Sequence, residues 1–231
     1  MTQFRPGGFQ ILPMVVKNLL IINVLVYLAQ STLKLPFIEE TFALHTWQSP
    51  LFKPWQFITH MFLHGGWWHL IGNMFYLWIC APSLETSWGP WRFLVFYIAC
   101  GLGGALAHMT TLYFENETII RQFYSMDPSL QAQYQGSLIR ILNVPTLGAS
   151  GAIYGCLVGF GYLFPDDIIY FRMIFPMKIK WFVIIAVGGE LYLEFQNSAG
   201  GGIAHMAHLG GALVGFLMVY YWKKNNRRSI Y

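Results

Sequence analysis

Six stretches of about 20 residues in this 231-residue chain are almost wholly apolar, at roughly 12–32, 65–83, 92–114, 146–165, 178–196 and 202–222. About 20 is the length at which a helix crosses the roughly 30 Å hydrocarbon layer of a bilayer. Within such a layer every backbone N–H and C=O has to be satisfied inside the segment, so the stretches are predicted to be helices. Composition agrees. Only 10% of the residues are charged, where a soluble domain carries about 25%, and 18% are aromatic, the residues that gather at membrane interfaces. The expected fold is all-α: a polytopic bundle of six transmembrane helices forming one membrane domain over residues 1–231, with its core at about 12–222.

Between the segments, Pro82–Pro90 reads as a short turn, Glu115–Pro145 as a long polar loop and Asn197–Gly202 as a tight link. Pro165, Asp166 and Asp167 close the fourth segment. Lys17, the run Leu19–Leu28 and the small-residue site at Ala29–Ser31 mimic a signal peptide. Because the chain stays polytopic beyond it, an uncleaved first helix is expected. Cys80, Cys100 and Cys156 all sit in apolar runs and read as packing residues, not a disulfide framework. A net charge of +4 from scattered cations and a short basic tail gives no basis for nucleic-acid binding.

Six spans put both termini on one side, with Arg5, Lys17, Arg92, Arg172, Lys178, Lys180, Lys223, Lys224, Arg227 and Arg228. The other side holds Lys34, Lys53, Arg121 and Arg140. The positive-inside rule then places both termini in the cytoplasm. Segments two, four and six enter from the outer face. At about 1.5 Å per residue, His69, Asn73, Ser150 and His208 come to lie at one shallow level, roughly 5–12 Å deep.

Strongly polar side chains inside spans are costly and therefore candidates for function. His69 and Asn73, four apart, share one helix face and both offer N–H donors. Ser150 opens the fourth segment between Gly148 and Gly151, where free N–H groups and the helix dipole favour an anion. Tyr154 follows one turn deeper. Gly151, Gly155 and Gly159 in that segment, and Gly211 and Gly215 in the sixth, form small-residue faces that let two helices approach closely. Such contact would bring Ser150 within reach of a histidine, the pairing needed to deprotonate a serine. Each feature alone has a plainer reading, a hydrogen-bonded core histidine or a packing serine. Convergence on one level sets them apart.

Taken together, the HxxxN of segment two (His69, Asn73), the GxSG of segment four (Gly148, Ser150, Gly151) and the HxxGxxxG of segment six (His208, Gly211, Gly215) resemble the rhomboid intramembrane proteases. The resemblance implies Ser150 as nucleophile and His208 as its general base in a dyad. It implies an oxyanion hole of His69, Asn73 and the Ser150 backbone N–H, with Tyr154 packed on the catalytic imidazole. His60 and His64 match a structural, His-rich entry to segment two. Segment five, around Trp181 and Phe182, matches a proposed lateral gate, and the first loop, with Phe37, Phe42, Trp47, Phe52 and Trp55, a partly embedded lobe. The implied substrates are transmembrane segments that unwind near the outer face. The implied partners are those substrates and the lipid bilayer, with no cofactor and no metal.

A bacterial inner membrane is the location expected from the compact architecture. Two rival readings are a catalytically inactive member that binds membrane clients, and a metal or haem protein using His60, His64, His69, His205 and His208. The latter leaves Asn73 and Ser150 without roles and lacks an HExxH motif. No role is assigned to His205, or to Glu190 and Glu194, four apart in segment five.

Overall fold

The computed structural model describes residues 12–33, 36–171, 175–196 and 205–226. The expected link Asn197–Gly202, the cations Arg5, Lys34, Arg172, Arg227 and Arg228, and the side chains of Glu190 and Glu194 lie outside the described residues. In chain order the helices are α1 (Met14–Leu33), the short α2 (Pro36–Phe42) and α3 (Gln56–Thr59), α4 (Trp67–Trp88), α5 (Pro90–Tyr124), α6 (Pro128–Leu142), α7 (Ser150–Leu163), α8 (Ile179–Gln196) and α9 (His205–Asn226). The fold is all-α apart from an antiparallel ribbon of β1 (Ile168–Phe171) and β2 (Phe175–Lys178), in which Ile168 pairs with Lys178 and Phe171 with Phe175.

Each of the six apolar stretches carries one long helix, but lengths differ from expectation. By length and apolar character α1 and α5 are the two, among the described residues, able to cross a membrane; Ser150–Leu163 and Ile179–Gly189 are shorter apolar helices. The fourth stretch gives only 14 helical residues, about 21 Å. Pro145 and a left-handed Gly148 (φ 127°) delay its start, and Phe164 and Pro165 end it.

The supposed loop at Glu115–Pro145 is largely helical. Helix α5 runs on to Tyr124 and α6 follows after Asp127, with Pro128 at its first turn. Likewise the turn expected at Pro82–Pro90 shrinks to Gly89 (φ 80°), because α4 continues through Pro82 to Trp88 and Pro90 starts α5, where its missing N–H costs nothing.

Helix α9 packs against α5 and α7, α7 also against α5 and α4, and α4 against α1. The core between them holds Leu77, Leu84, Phe93, Phe96, Tyr97, Ile153 and Val219. All three cysteines are buried as free thiols. The central contact has almost no side chains in it. A Cβ built on Gly215 would stand 2.7 Å from the Cα and O of Gly155, and one on Gly210 would stand 2.7 Å from the Gly103 carbonyl. Small residues thus bring α9 backbone-to-backbone against both α7 and α5.

At the opposite end from Ser150, α1 is fixed by one buried acid. The two carboxyl oxygens of Glu85, near the end of α4, accept the N–H groups of Val15 (2.9 Å) and Val16 (2.8 Å). They satisfy donors that the first turn of α1 leaves unpaired.

Candidate active site

The segment leading into α7 is held from three sides. Thr146 and Leu44 exchange backbone hydrogen bonds of 2.8 and 2.9 Å, the Gly148 N–H donates to the His60 carbonyl (2.9 Å), and the Thr146 hydroxyl lies 3.0 Å from His108 Nε2. His60 is anchored in turn, its Nδ1 donating to the Gln56 carbonyl at 2.7 Å. The first loop therefore sets where α7 begins. At that start Ala149 supplies no side-chain cap, so the first-turn N–H groups beside Ser150 keep the positive end of the helix dipole for a ligand.

Ser150 Oγ lies 2.8 Å from His208 Nε2, 58 residues away in sequence. The glycine contact between α7 and α9 permits this distance. The Tyr154 ring stacks on the His208 imidazole, centroids 4.4 Å apart and planes 7° from parallel, so the imidazole is held in plane while its edge meets the serine. The His205 ring stands edge-on to His208 at 6.4 Å.

His69 and Asn73 face the same spot from α4. His69 Nδ1 accepts the Gly65 N–H at 3.3 Å, which in the neutral ring leaves the proton on Nε2. That nitrogen points at Gly148: a Cβ built there would lie 2.8 Å from His69 Nε2 and 3.7 Å from Asn73 Nδ2. Gly148 is required here both by its positive φ and by this approach. Asn73 is buried, and its Nδ2 has no hydrogen-bond partner among the described residues. A buried amide donor without an acceptor costs roughly 1–3 kcal/mol. The site therefore keeps a donor ready for an acceptor two residues before Ser150.

The remaining imidazoles serve the frame. His64 is fully buried, edge-on to His69 (5.1 Å) and to Tyr27 (6.5 Å), and its main chain is bonded by the Gln30 amide. Burial holds His60 and His64 neutral, both lowered to about 4. His108 was not among the sequence candidates, although an imidazole inside the apolar run 92–114 is the kind of signal that marks one. Among the described residues no group of three or more His, Cys, Asp or Glu side chains is arranged to hold a metal ion. In the first loop Phe37, Phe42, Trp47 and Trp55 are exposed, whereas Phe52 turns inward to pack with Phe57 against Leu44, Ala105 and Met109.

A buried polar cluster at one end of an apolar helical bundle suits an integral membrane protein, and sequence comparison gives its family. Residues 51–225 match the rhomboid domain, and the chain belongs to the rhomboid family. It is 31% identical over 173 residues to rhomboid protein 1, mitochondrial, of Saccharomyces cerevisiae, covering 71% of this chain and 40% of that protein. It is 26% identical over 227 residues to the chloroplastic rhomboid-like protein 11 of Arabidopsis thaliana, covering 89% and 64%. To the rhomboid protease GluP of Bacillus subtilis it is 28% identical over 162 residues, covering 70% and 25%. The chain thus spans between a quarter and two thirds of the length of these relatives. Its relatives include proteins named as rhomboid proteases. Names that include mitochondrial and chloroplastic proteins give no support to the bacterial inner membrane expected above.

Proposed function

We propose that this protein is an intramembrane serine endopeptidase that cuts transmembrane segments of other membrane proteins with a Ser150–His208 dyad. The observation that carries this reading is the 2.8 Å contact between Ser150 Oγ and His208 Nε2, made by residues from two different helices. Ser150 attacks the scissile carbonyl as His208 takes its proton, and the imidazolium then protonates the leaving amine. Water, deprotonated by the same imidazole, releases the acyl group. The Ser150 backbone N–H, His69 Nε2–H and Asn73 Nδ2–H receive the oxyanion. Loss of one such donor typically costs roughly 10²–10³ in turnover.

All six long helices are read as spans, short ones included, with both termini on the cation-rich side and the whole chain as one membrane domain. Ser150 then lies just beneath the opposite face. A substrate helix must unwind locally there, since a hydrogen-bonded helix does not offer its carbonyl for attack, and α8 is the element that would move aside to admit it.

The test is fluorophosphonate labelling and cleavage of a labile transmembrane substrate by the detergent-purified full chain. Wild type should label and cleave, and Ser150→Ala and His208→Ala should do neither. His69→Ala should label slowly and turn over roughly 10²-fold less. Full cleavage by Ser150→Ala would overturn the dyad, and equal labelling of His69→Ala and His208→Ala would reverse the assigned roles. An intact protein that folds, binds such substrates and never cuts them would favour the alternative of an inactive client-binding member.

A further inference from the structure

At the end of the bundle away from Ser150, Tyr162, Tyr220, Lys223 and Lys224 line a pocket of about 330 Å³. Tyr162 lies 12 residues along α7 from Ser150, about 18 Å at helical rise, so the pocket is separate from the site described above. The Lys223 ammonium sits 4.8 Å from the centre of the Tyr162 ring. Nearby Asp166 does not neutralise these lysines. It is held by Lys180 (2.8 Å) and Lys178 (3.1 Å), and among the described residues no ion pair includes Lys223 or Lys224. The pocket is thus a pair of uncompensated cations beside two phenols.

The α9 surface leading to the pocket is apolar. Leu213, Phe216, Leu217 and Tyr220 are all exposed, and their spacing of three and four residues puts them on one helix face that ends at Lys223 and Lys224. Phe216 and Tyr220 stack at 6.1 Å, and Tyr162 meets Phe216 edge-on at 5.9 Å, joining strip and pocket. An apolar strip two turns long, about 10 Å, ending in two ammonium groups and two hydroxyls, has the polarity profile of the upper part of an acyl chain below a phosphate.

We propose that this groove binds one anionic phospholipid, its phosphate between Lys223, Lys224 and the Tyr220 hydroxyl, its acyl chain along Leu213, Phe216 and Leu217. A free phosphate would use the same cations but not the strip. The inference rests on membrane embedding and on the end of the bundle where the cations gather, not on the protease reading. Basic pockets between helices on the cytoplasmic side are suited to such headgroups.

The test uses the delipidated full chain in mild detergent, with phosphatidylglycerol, phosphatidylcholine or inorganic phosphate added at equal phosphorus concentration. Retention of lipid is read by native mass spectrometry and the thermal midpoint is followed in parallel. Phosphatidylglycerol alone should be retained and raise the midpoint. Lys223→Gln/Lys224→Gln should weaken retention on the order of tenfold or more. Lys178→Gln/Lys180→Gln, which removes two cations already paired to Asp166, should stay within about twofold of wild type by the same reasoning. Equal retention by the two double variants would overturn the site, and protection by inorganic phosphate equal to that by phosphatidylglycerol would overturn the lipid. Should the Lys223/Lys224 variant fail to fold, wild type cross-linked with a phosphatidylglycerol carrying a diazirine in its acyl chain decides. Label should concentrate on the α9 peptide containing Leu213–Tyr220, and an even spread over all membrane-facing helices would overturn the proposal.

Discussion

Replacing Gly211 by alanine places a methyl group where α9 meets α7. A Cβ built at Gly211 stands 2.6 Å from the Gly151 carbonyl carbon and 3.1 Å from its Cα. Carbon atoms settle at about 3.5–4.0 Å, so the two helices must part by about 1 Å at this level. Both neighbours are backbone, so no side chain can swing away to absorb the shift. His208 lies one turn before Gly211 on α9, and Ser150 adjoins Gly151 on α7. The 2.8 Å contact between them therefore opens beyond about 3.5 Å, past useful hydrogen bonding. A misplacement of about 1 Å at reacting groups costs on the order of 10² in rate. Gly211→Ala should accordingly lose about 10²-fold in the fluorophosphonate labelling rate of Ser150 while keeping its helical circular dichroism. Gly136→Ala is the control, because a Cβ there meets nothing within 4 Å, and it should label as wild type. Gly215→Ala, with 2.7 Å contacts to Gly155, repeats the test one turn farther along. A folded Gly211→Ala protein labelling within about threefold of wild type, against the 10² expected from misplacement, would refute the claim that the glycine contact sets the serine–imidazole distance.

Three further outcomes are expected. Glu85→Ala leaves the N–H groups of Val15 and Val16 without their acceptors, which should lower stability by roughly 2–4 kcal/mol; denaturation in detergent checks this, and an unchanged midpoint would mean that α1 is held otherwise. Tyr154→Phe keeps the ring on His208 and should retain most of kcat, whereas Tyr154→Ala removes a stacking contact worth about 1 kcal/mol and should cut kcat several-fold with KM little changed; equal kcat in the two variants would deny the ring that role. Buried His60 and His64 stay neutral down to about pH 4 when folded but protonate near 6.5 when unfolded, so their contribution is complete above pH 6.5. It is lost at about 1.4 kcal/mol per pH unit for each ring as pH falls from 6.5 towards 4. His64→Phe should show a correspondingly flatter acid limb than wild type in thermal unfolding, and parallel limbs would count against this.

Much of the architecture was legible because bilayer length is a strong constraint. Apolar runs located α1, α4, α5, α7, α8 and α9, and the four-residue spacing of His69 and Asn73 put both on one face. Glycines at 151, 155, 211 and 215 announced the close approach that brings Ser150 to His208. What the chain hid was structure outside the apolar runs. Polarity after Glu115 reads as a loop, yet a helix such as α6, which buries none of its residues, needs no apolar surface all round. The Glu117–Arg121 pair, four apart and 3.0 Å in space, was the available sign. The ribbon at 168–178 lacks an alternating pattern and carries Pro176. Glu85 looked like a residue of a turn, because its acceptors' partners lie some 70 positions earlier. His108 was passed over because its partner, Thr146, sits in an irregular segment whose course no periodicity describes.

Helix α5 has 35 residues, about 52 Å of rod against a hydrocarbon layer of about 30 Å, so it outruns such a layer, and α6 follows it like the second leg of a handle. Both legs of that handle are tied at the root by neighbouring side chains, Gln48 to Asn116 (3.2 Å) and Ser49 to Asn143 (2.7 Å). The chain re-enters the bundle only three residues after the second tie, at Thr146. The course of α5 and α6 beyond the ties is thereby separated from the placing of Ser150, because two amide-level knots at the base keep the return path to that serine in register.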